Sequence, residues 1–200
     1  MNDGIHRKLI VAIVGMPGAG KTEAASVFSS LGWHVIRFGQ ITLDEVKKRG
    51  MPVNEASERA IREEFRETYG MAAYAIVNQP TIDQSLATGP MAIDNLMSWS
   101  EYKVMKEKYG AQFFTLAIAA SPATRYERLE GRAGRHGADA DTRFRSFPHE
   151  QALARDFAEI EHIEKGGPIA MADYTVVNEG SLEALHHEVE QFIGLHSLNI

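Results

Sequence analysis

Residues 15–22 read Gly15-Met16-Pro17-Gly18-Ala19-Gly20-Lys21-Thr22, which matches the pattern G-x-x-x-x-G-K-[ST]. The residues before this stretch are all apolar, as in a strand buried on both faces: Leu9-Ile10-Val11-Ala12-Ile13-Val14. After it, the segment 22–31 carries apolar residues at helical spacing, and Gly32 then provides a helix stop. A strand, a glycine-rich loop and a helix in this order indicate a Walker A loop, which binds nucleotide phosphates.

The chemistry of each residue in this loop agrees with phosphate binding. Gly15 and Gly20 lack a Cβ, so backbone N–H groups can approach an anion closely. Lys21 adds a positive charge near the phosphate to be transferred, and Thr22 offers a hydroxyl to Mg²⁺. We therefore expect Mg²⁺ with ATP as co-substrate, the ATP being held by Gly15, Met16, Pro17, Gly18, Ala19, Gly20, Lys21 and Thr22.

The composition limits the class of protein and its partners. Of the 200 residues, 44% are hydrophobic, which suffices for one α/β domain with a sizeable core. The net charge of −6 gives no general attraction to nucleic acid, and no apolar run approaches the roughly 20 residues of a membrane span. The absence of cysteine excludes disulfides and thiolate metal sites. We expect a cytoplasmic protein without nucleic-acid or membrane partners, and the oligomeric state stays open.

Four further apolar segments have the length of strands, at 34–38, 90–94, 112–119 and 173–177, and they alternate with helical segments. This alternation predicts an α/β fold of three layers, in which a mainly parallel five-stranded sheet is covered by helices on both sides. Ligands of such sheets bind beyond the C-terminal ends of the strands.

Capping residues mark several predicted helix starts, which are Thr42 with Glu45, Asn54, Ser98 with Glu101, and Ser121 before Pro122. A helix over 71–86 contains Pro80, which predicts an interruption there. The segment after residue 131 loses apolar periodicity and becomes rich in glycine and arginine up to residue 149. The chain is therefore interpreted as a single domain, 1–200, with a helical insertion at 39–88 and a lid at 131–149.

These two insertions favour one class among the proteins with a Walker A loop. A guanine-specific Asn-Lys-x-Asp loop and an ABC-type signature are both absent from the sequence. A small kinase needs one insertion to bind the acceptor and another to close over ATP and exclude water. The layout therefore predicts phosphoryl transfer between two small molecules.

The sequence resembles the adenylate-kinase-related P-loop kinases, and it is most similar to their archaeal-type, dephospho-CoA-kinase-like branch. The resemblance covers almost the whole chain and is carried by the segments 14–23, 66–71, 121–129 and 172–181. It implies a P-loop nucleotide kinase fold and an ATP-dependent kinase activity.

The resemblance also implies roles for individual residues. Lys21 and the loop N–H groups would hold the β- and γ-phosphates. Arg128 would stack on adenine, with Gly180 lining the other side of the base, while Arg132 would contact phosphate. Arg155 would reach back to the transferring group.

Asp94, at the end of the third predicted strand, has two interpretations. The carboxylate can bind Mg²⁺ through water, or it can cap the following helix. We include Asp94 with Lys21, Arg132 and Arg155 among the candidate catalytic residues.

The sequence departs from the branch at two acceptor-site positions. Gln40 stands where the branch has an aspartate, and Met97 stands where it has an arginine. Another cation must then bind an acceptor phosphate, and the candidates are Arg37, Arg62 and Arg66. For the two helical arginines, exposed pairing with nearby glutamates is the alternative interpretation.

Two hypotheses about function remain. The first is ATP-dependent phosphoryl transfer to a small phosphate-bearing acceptor, a nucleoside monophosphate or a dephospho-CoA-like molecule. The second is a nucleotide-binding sensor or partner module with little turnover, which the departures at Gln40 and Met97 favour.

Overall fold

The computed structural model describes residues 8–131 and 148–198, and within them one five-stranded sheet forms the centre of the molecule. The strands are β1 (Ile10–Val14), β2 (His34–Arg37), β3 (Met91–Asp94), β4 (Phe113–Ala119) and β5 (Tyr174–Val177). Their order across the sheet is β2-β3-β1-β4-β5, and each of the four pairings is parallel. The predicted five-stranded, mainly parallel sheet is confirmed.

Helices connect these strands and cover the sheet. They are α1 (Lys21–Ser30), α2 (Gln40–Lys48), α3 (Glu55–Tyr69), α4 (Ala73–Val77), α5 (Gln79–Thr88), α6 (Trp99–Tyr109), α7 (Pro122–Glu130), α8 (His149–Ile163), α9 (Gly166–Ala170) and α10 (Leu182–Leu198). The helices α2 to α5 lie between β2 and β3, where the sequence predicts the insertion. The sequence did not predict the short helix α9. Within the described parts of the chain, no helix is long and apolar enough to cross a membrane.

Side-chain caps begin three of these helices, as predicted. The Asn54 side chain accepts a hydrogen bond from the Ser57 N–H at 2.9 Å at the start of α3. At α6, Ser98 Oγ accepts from the Glu101 N–H at 3.0 Å, and the Glu101 carboxylate accepts from the Ser98 N–H at 3.1 Å. Ser121 caps α7. Each cap joins residues three apart, which is why local sequence predicts it.

The predicted capping box of Thr42 and Glu45 is wrong. Helix α2 begins at Gln40 and has no side-chain cap. Thr42 is buried instead, and its hydroxyl shares a 2.8 Å hydrogen bond with the Tyr74 hydroxyl. Glu45 accepts from Arg49 Nε at 2.7 Å. The Thr42 side chain, which the local pattern predicts as a helix cap, therefore makes a tertiary contact within the insertion instead.

The predicted interruption near Pro80 exists, but it lies two residues earlier. Asn78 separates α4 from α5, and its amide donates to the carbonyls of Tyr74 at 2.9 Å and Phe38 at 3.3 Å. Pro80 lies in the first turn of α5. A proline is tolerated there because the N–H groups of a first turn have no helical partner.

Alternate residues of β1 enter two hydrophobic cores on opposite faces of the sheet. Ile10, Ala12 and Val14 pack with the buried faces of α4, α5 and α6. Val11 and Ile13 pack with those of α1 and α10. All residues of β1 are buried, because both faces of the strand are covered. The rigid centre of the sheet thus carries the loop that follows β1.

Candidate functional site

The loop after β1 follows a backbone path that favours glycine, and Gly15 and Gly20 show this. Gly15 has φ +146° and Gly20 has φ +105°, both in the region that side chains disfavour. A Cβ on Gly15 would overlap the Ile118 carbonyl of β4, and one on Gly20 would overlap the Asn178 side chain after β5. The loop is therefore packed against the ends of the neighbouring strands as well as turned tightly.

Two side chains from distant segments hold this loop in place. Asn178 Nδ2 donates to the Ala19 carbonyl at 2.8 Å. Arg125 donates to the Pro17 carbonyl at 3.1 Å and forms a buried ion pair with Asp156 of α8, with 2.6 Å between Nη2 and Oδ2. Sequence reasoning gave Asn178, Arg125 and Asp156 no role in shaping the loop, although Asn178 and Arg125 lie in segments that carry the resemblance.

A cavity of about 600 Å³ opens above the loop at the C-terminal edge of the sheet. Its lining includes five basic side chains and two acidic ones. The basic residues are Lys21, Arg37, Arg128, Arg155 and Lys165, and the acidic residues are Glu23 and Asp94. This excess of positive charge suits a polyanionic ligand such as a nucleotide.

Lys21 is at the centre of this cavity. Its ammonium donates to the Met16 carbonyl at 3.0 Å. Burial, and next the charge of Lys165, hold the pKa of Lys21 well below its usual range. A phosphate between the two lysines would reverse both effects, since an anion favours the charged form of an amine.

Thr22 and Asp94 come together at the C-terminal ends of β1 and β3. Thr22 Oγ1 lies 3.4 Å from Asp94 Oδ2, and Asp94 is buried. Asp94 is the Cα partner of Ile13 on one side and of Arg37 on the other. The parallel register thus brings the hydroxyl and the carboxylate to one point. The described residues contain no group of three or more histidine, cysteine or acidic side chains that could hold a metal by itself.

Arg128 and Gly180 lie together at the β5 end of the cavity. Arg128 donates to the Asn178 carbonyl at 2.9 Å and to the Gly180 carbonyl at 3.4 Å. Leu182 and Leu185 line the same wall. Apolar side chains beside a guanidinium provide a surface suited to a flat aromatic base.

Arg155 is held by a buried cluster that the sequence did not reveal. Its Nε donates to Glu159 Oε1 at 2.8 Å, and Lys165 Nζ donates to the other oxygen of the same carboxylate. Burial opposes ionisation of Glu159, but the charges of Lys165 and Arg155 outweigh it and keep the pKa of the carboxyl below its usual value. Lys165 follows α8 in a segment without a motif, so no sequence signal could have identified it.

Two other predicted residues, Arg62 and Arg66, do not line this cavity. Arg62 donates to Glu58 at 3.5 Å along α3, and Arg66 lines a separate, much smaller cavity beside Met97 and Glu101. Arg132 lies outside the described residues, as do residues 132–147 of the lid predicted at 131–149. Of the three candidate acceptor-site cations, Arg37 alone lines the main cavity.

The two positions that depart from the branch make local contacts. Gln40 donates to Asp44 at 3.0 Å along α2. The Met97 N–H donates to the Glu101 carboxylate at 2.8 Å, and burial raises the pKa of Glu101 to about 7. Gln40 thus contributes to α2, and Met97 to the start of α6.

Asn95 contributes a side-chain oxygen that can accept a hydrogen bond in the main cavity. It follows Asp94 with φ +72°, a conformation uncommon outside glycine, and it lines the cavity. Its Oδ1 is buried and accepts no hydrogen bond from the described residues. Such an oxygen can accept a hydrogen bond from a ligand hydroxyl.

Comparisons with known proteins agree with this fold and site. A family model described as an AAA domain matches residues 11–145. A UPF0200 protein of Hyperthermus butylicus is 34% identical over 193 residues, which is 95% of this chain and 95% of that protein. A gluconokinase from Sinorhizobium meliloti 1021 has a TM-score of 0.57 at 13% identity, covering 96% of this chain and 95% of its own. A shikimate kinase from Bacteroides thetaiotaomicron has a TM-score of 0.55 at 14% identity, covering 96% and 99%.

The solved structures show the fold: this chain has the α/β fold of P-loop kinases, as predicted. The sequence matches define the family: the chain belongs to the AAA domain family of that model and to the UPF0200 proteins.

Proposed function

We propose that this protein transfers the γ-phosphate of ATP to a small phosphate-bearing acceptor, either a nucleoside monophosphate or a dephospho-CoA-like molecule. One observation carries the proposal. The Walker A loop, with Lys21 and Thr22, lies at the middle of a single cavity that continues past it to Arg37 on one side and to Gly180 on the other. A cavity that extends beyond the phosphate loop in both directions suits two substrates.

The β5 end of the cavity is the proposed ATP site. The base would lie between Arg128 and the segment around Gly180, with the phosphates on the N–H groups of the loop. Lys21 would hold the β- and γ-phosphates. Mg²⁺, when bound with ATP, neutralises phosphate charge; the Thr22 hydroxyl would be a direct ligand, and Asp94 would hold a metal-bound water.

The β2 end is the proposed acceptor site. Arg37 supplies a cation at the end of β2, and Asn95 supplies an acceptor for a hydroxyl of the ligand. Arg62 and Arg66 would join this site if the helical insertion, 39–88, moved toward the sheet when the acceptor binds. A lid at 131–149, with Arg132, would close over ATP from the other side.

Catalysis in this proposal depends on position and charge. Arg155, held by Glu159, would reach the transferring phosphoryl group together with Lys21. Charge spread over the oxygens of that group is stabilised by fixed cations in a site from which water is excluded. No covalent intermediate with the protein is required.

The test is an assay of ADP formation with Mg²⁺ and ATP, carried out with a panel of nucleoside monophosphates and with dephospho-CoA. The expected result is that one acceptor accelerates ADP formation by orders of magnitude over ATP alone. The alternative is a nucleotide sensor, which the local contacts of Gln40 and Met97 favour. ATP binding without acceleration by any acceptor would favour the sensor and contradict the kinase.

A further inference from the structure

Lys165 is a buried lysine that the roles assigned above do not use. It lies between α8 and α9, is 1% exposed and lines the cavity of the Walker A loop. Its ammonium donates to the Glu159 carboxylate, which is its one side-chain partner among residues 8–131 and 148–198. An ammonium has three protons to donate, so this lysine can also bind a ligand in the cavity.

The carboxylate that holds Lys165 also holds a second cation. Glu159 accepts from Arg155 through Oε1 and from Lys165 through Oε2. Moving an ammonium out of water costs free energy. A carboxylate that is shared by two cations offsets less of this cost for each cation than a separate carboxylate would. An anion in the cavity would supply the remaining compensation.

The surroundings of Lys165 place it on the acceptor side of Lys21. Lys165 directly precedes α9, where a Cβ on Gly167 would overlap the Trp99 ring at the start of α6, and Glu101 lies in the first turn of that same helix. Glu101 lines the small cavity beside the insertion, together with Arg66. Arg128 is at the opposite end, with the segment after β5. Lys165 therefore lies near the start of α6 and lines the cavity of the phosphate loop.

We propose that Lys165 binds the phosphate of the acceptor, as an ammonium oriented by Glu159. This inference rests on the kinase function proposed above and specifies its acceptor site. It supplies a cation close to the start of α6, where the apolar Met97 stands and donates through its N–H to Glu101. Glu159 is then a positioning residue, because it acts through Lys165.

A phosphate monoester is the acceptor class that this arrangement fits. Lys165 and Arg37 both line the cavity, and neither is among the residues assigned to ATP. Two cations match the double negative charge of a phosphate monoester, whereas a carboxylate would leave one positive charge uncompensated. Charge-assisted hydrogen bonds to phosphate are the strong class of hydrogen bond in proteins.

The experiment measures phosphate binding directly, so that it does not depend on knowing the acceptor. The protein is first saturated with Mg²⁺ and AMP-PNP, a non-hydrolysable ATP analogue, which fills the nucleotide site. Inorganic phosphate is then titrated in a calorimeter. The expected result is phosphate binding by the natural protein and a roughly 10- to 150-fold weaker affinity in Lys165→Met, from the loss of a charge-assisted hydrogen bond.

Three variants control this measurement. Lys103→Met removes an exposed lysine from α6 and should leave phosphate affinity unchanged. Lys165→Arg keeps the charge and should retain most of the binding. Lys165→Met alone leaves a buried carboxylate with one partner fewer, so Glu159→Gln/Lys165→Met is measured as well. The double variant removes both charges and should bind phosphate as weakly as Lys165→Met.

The outcomes separate this inference from the kinase proposal. Phosphate affinity equal to that of the natural protein in Lys165→Met or in Glu159→Gln/Lys165→Met would overturn the inference, as would weakened AMP-PNP binding with unchanged phosphate binding. Absence of phosphate binding by the natural protein would also overturn it. The kinase proposal fails differently: no acceptor accelerates ADP formation, while the Lys165-dependent binding of phosphate persists.

Discussion

At the scale of single residues, Lys21 is the side chain on which the proposed reaction depends most. Its ammonium donates to a carbonyl of its own loop, and its side chain lines the cavity. Lys21→Ala should therefore fold normally and lose phosphoryl transfer by a factor of at least about 100, because a fixed charge at the transferring group is removed. ADP formation and the thermal unfolding midpoint measure the two effects. Unchanged turnover in the variant would exclude Lys21 from the mechanism.

Glu101 should make the stability of the protein depend on pH. Its folded-state pKa of about 7 lies above the ordinary value of 4.5, chiefly because of burial. The folded protein then binds a proton that the unfolded chain has already released, so Glu101 reduces stability as pH rises from about 4.5 through 7. Relative to Glu101→Gln, the natural protein should lose up to roughly 3 kcal/mol of unfolding free energy over that range.

Urea unfolding of both proteins at pH 5 and pH 8 measures this difference. The glutamine retains an oxygen that can accept from the N–H groups of Met97 and Ser98, so the start of α6 should remain capped. Glu107→Gln, on the exposed face of the same helix, is the control and should follow the natural protein. Parallel pH profiles for the natural protein and Glu101→Gln would show that Glu101 is not the titrating group.

At the scale of elements, the insertion between β2 and β3 and the end of β2 should affect the acceptor and not ATP. Arg37 lines the main cavity from β2, whereas Arg66 lies on α3 beside the smaller one. Arg37→Ala should raise the acceptor KM by roughly tenfold or more and leave ATP affinity unchanged. Arg66→Ala should do the same only if α3 closes over the bound acceptor.

Steady-state kinetics with the acceptor varied at saturating ATP provide the measurement. Arg59→Ala is the matched control, because Arg59 lies on the exposed side of the same helix and pairs with Glu63 at 3.3 Å. If neither Arg37→Ala nor Arg66→Ala changes the acceptor KM, these two arginines do not bind the acceptor.

The helices α7 and α8 are joined to the phosphate loop by one buried ion pair. Arg125 and Asp156 are 5% and 8% exposed, and Arg125 also donates to the Pro17 carbonyl. Asp156→Asn leaves the guanidinium buried without its counter-charge and should cost roughly 3–5 kcal/mol of unfolding free energy. Urea denaturation measures the loss.

Two further variants show whether buried charge is the cause. Arg125→Met/Asp156→Leu removes both charges and should recover much of the stability. Glu63→Gln, in an exposed pair with Arg59, should leave the unfolding midpoint unchanged. A double variant no more stable than Asp156→Asn would indicate that packing, and not charge, explains the loss.

At the scale of the whole molecule, the strand order arranges the cavity. β1 is central, so the phosphate loop lies between the segment after β5 on one side and the ends of β3 and β2 on the other. The two hydrophobic cores fix this sheet from both faces. One rigid edge thus presents the proposed nucleotide and acceptor ends at opposite sides of Lys21.

The sequence alone was sufficient for the parallel sheet, the phosphate loop and the caps at Asn54 and Ser98. These features follow from local requirements: an apolar run for a doubly covered strand, glycine where φ is positive, and a polar side chain three residues from the N–H group it caps. Each requirement is met within a few neighbouring residues, so it leaves a pattern in the sequence.

Only the tertiary structure determined which charged side chains share the cavity. It brings Lys165 and Glu159 to Lys21, separates Arg66 from Arg37, and directs Thr42 to Tyr74 instead of to a helix start. These partners lie far apart in sequence or on different elements, and an isolated lysine or arginine has no periodicity that identifies its partner. The energies of buried charges depend on which groups the fold brings into contact. For that reason the cluster of Arg155, Glu159 and Lys165 could not be predicted from the sequence.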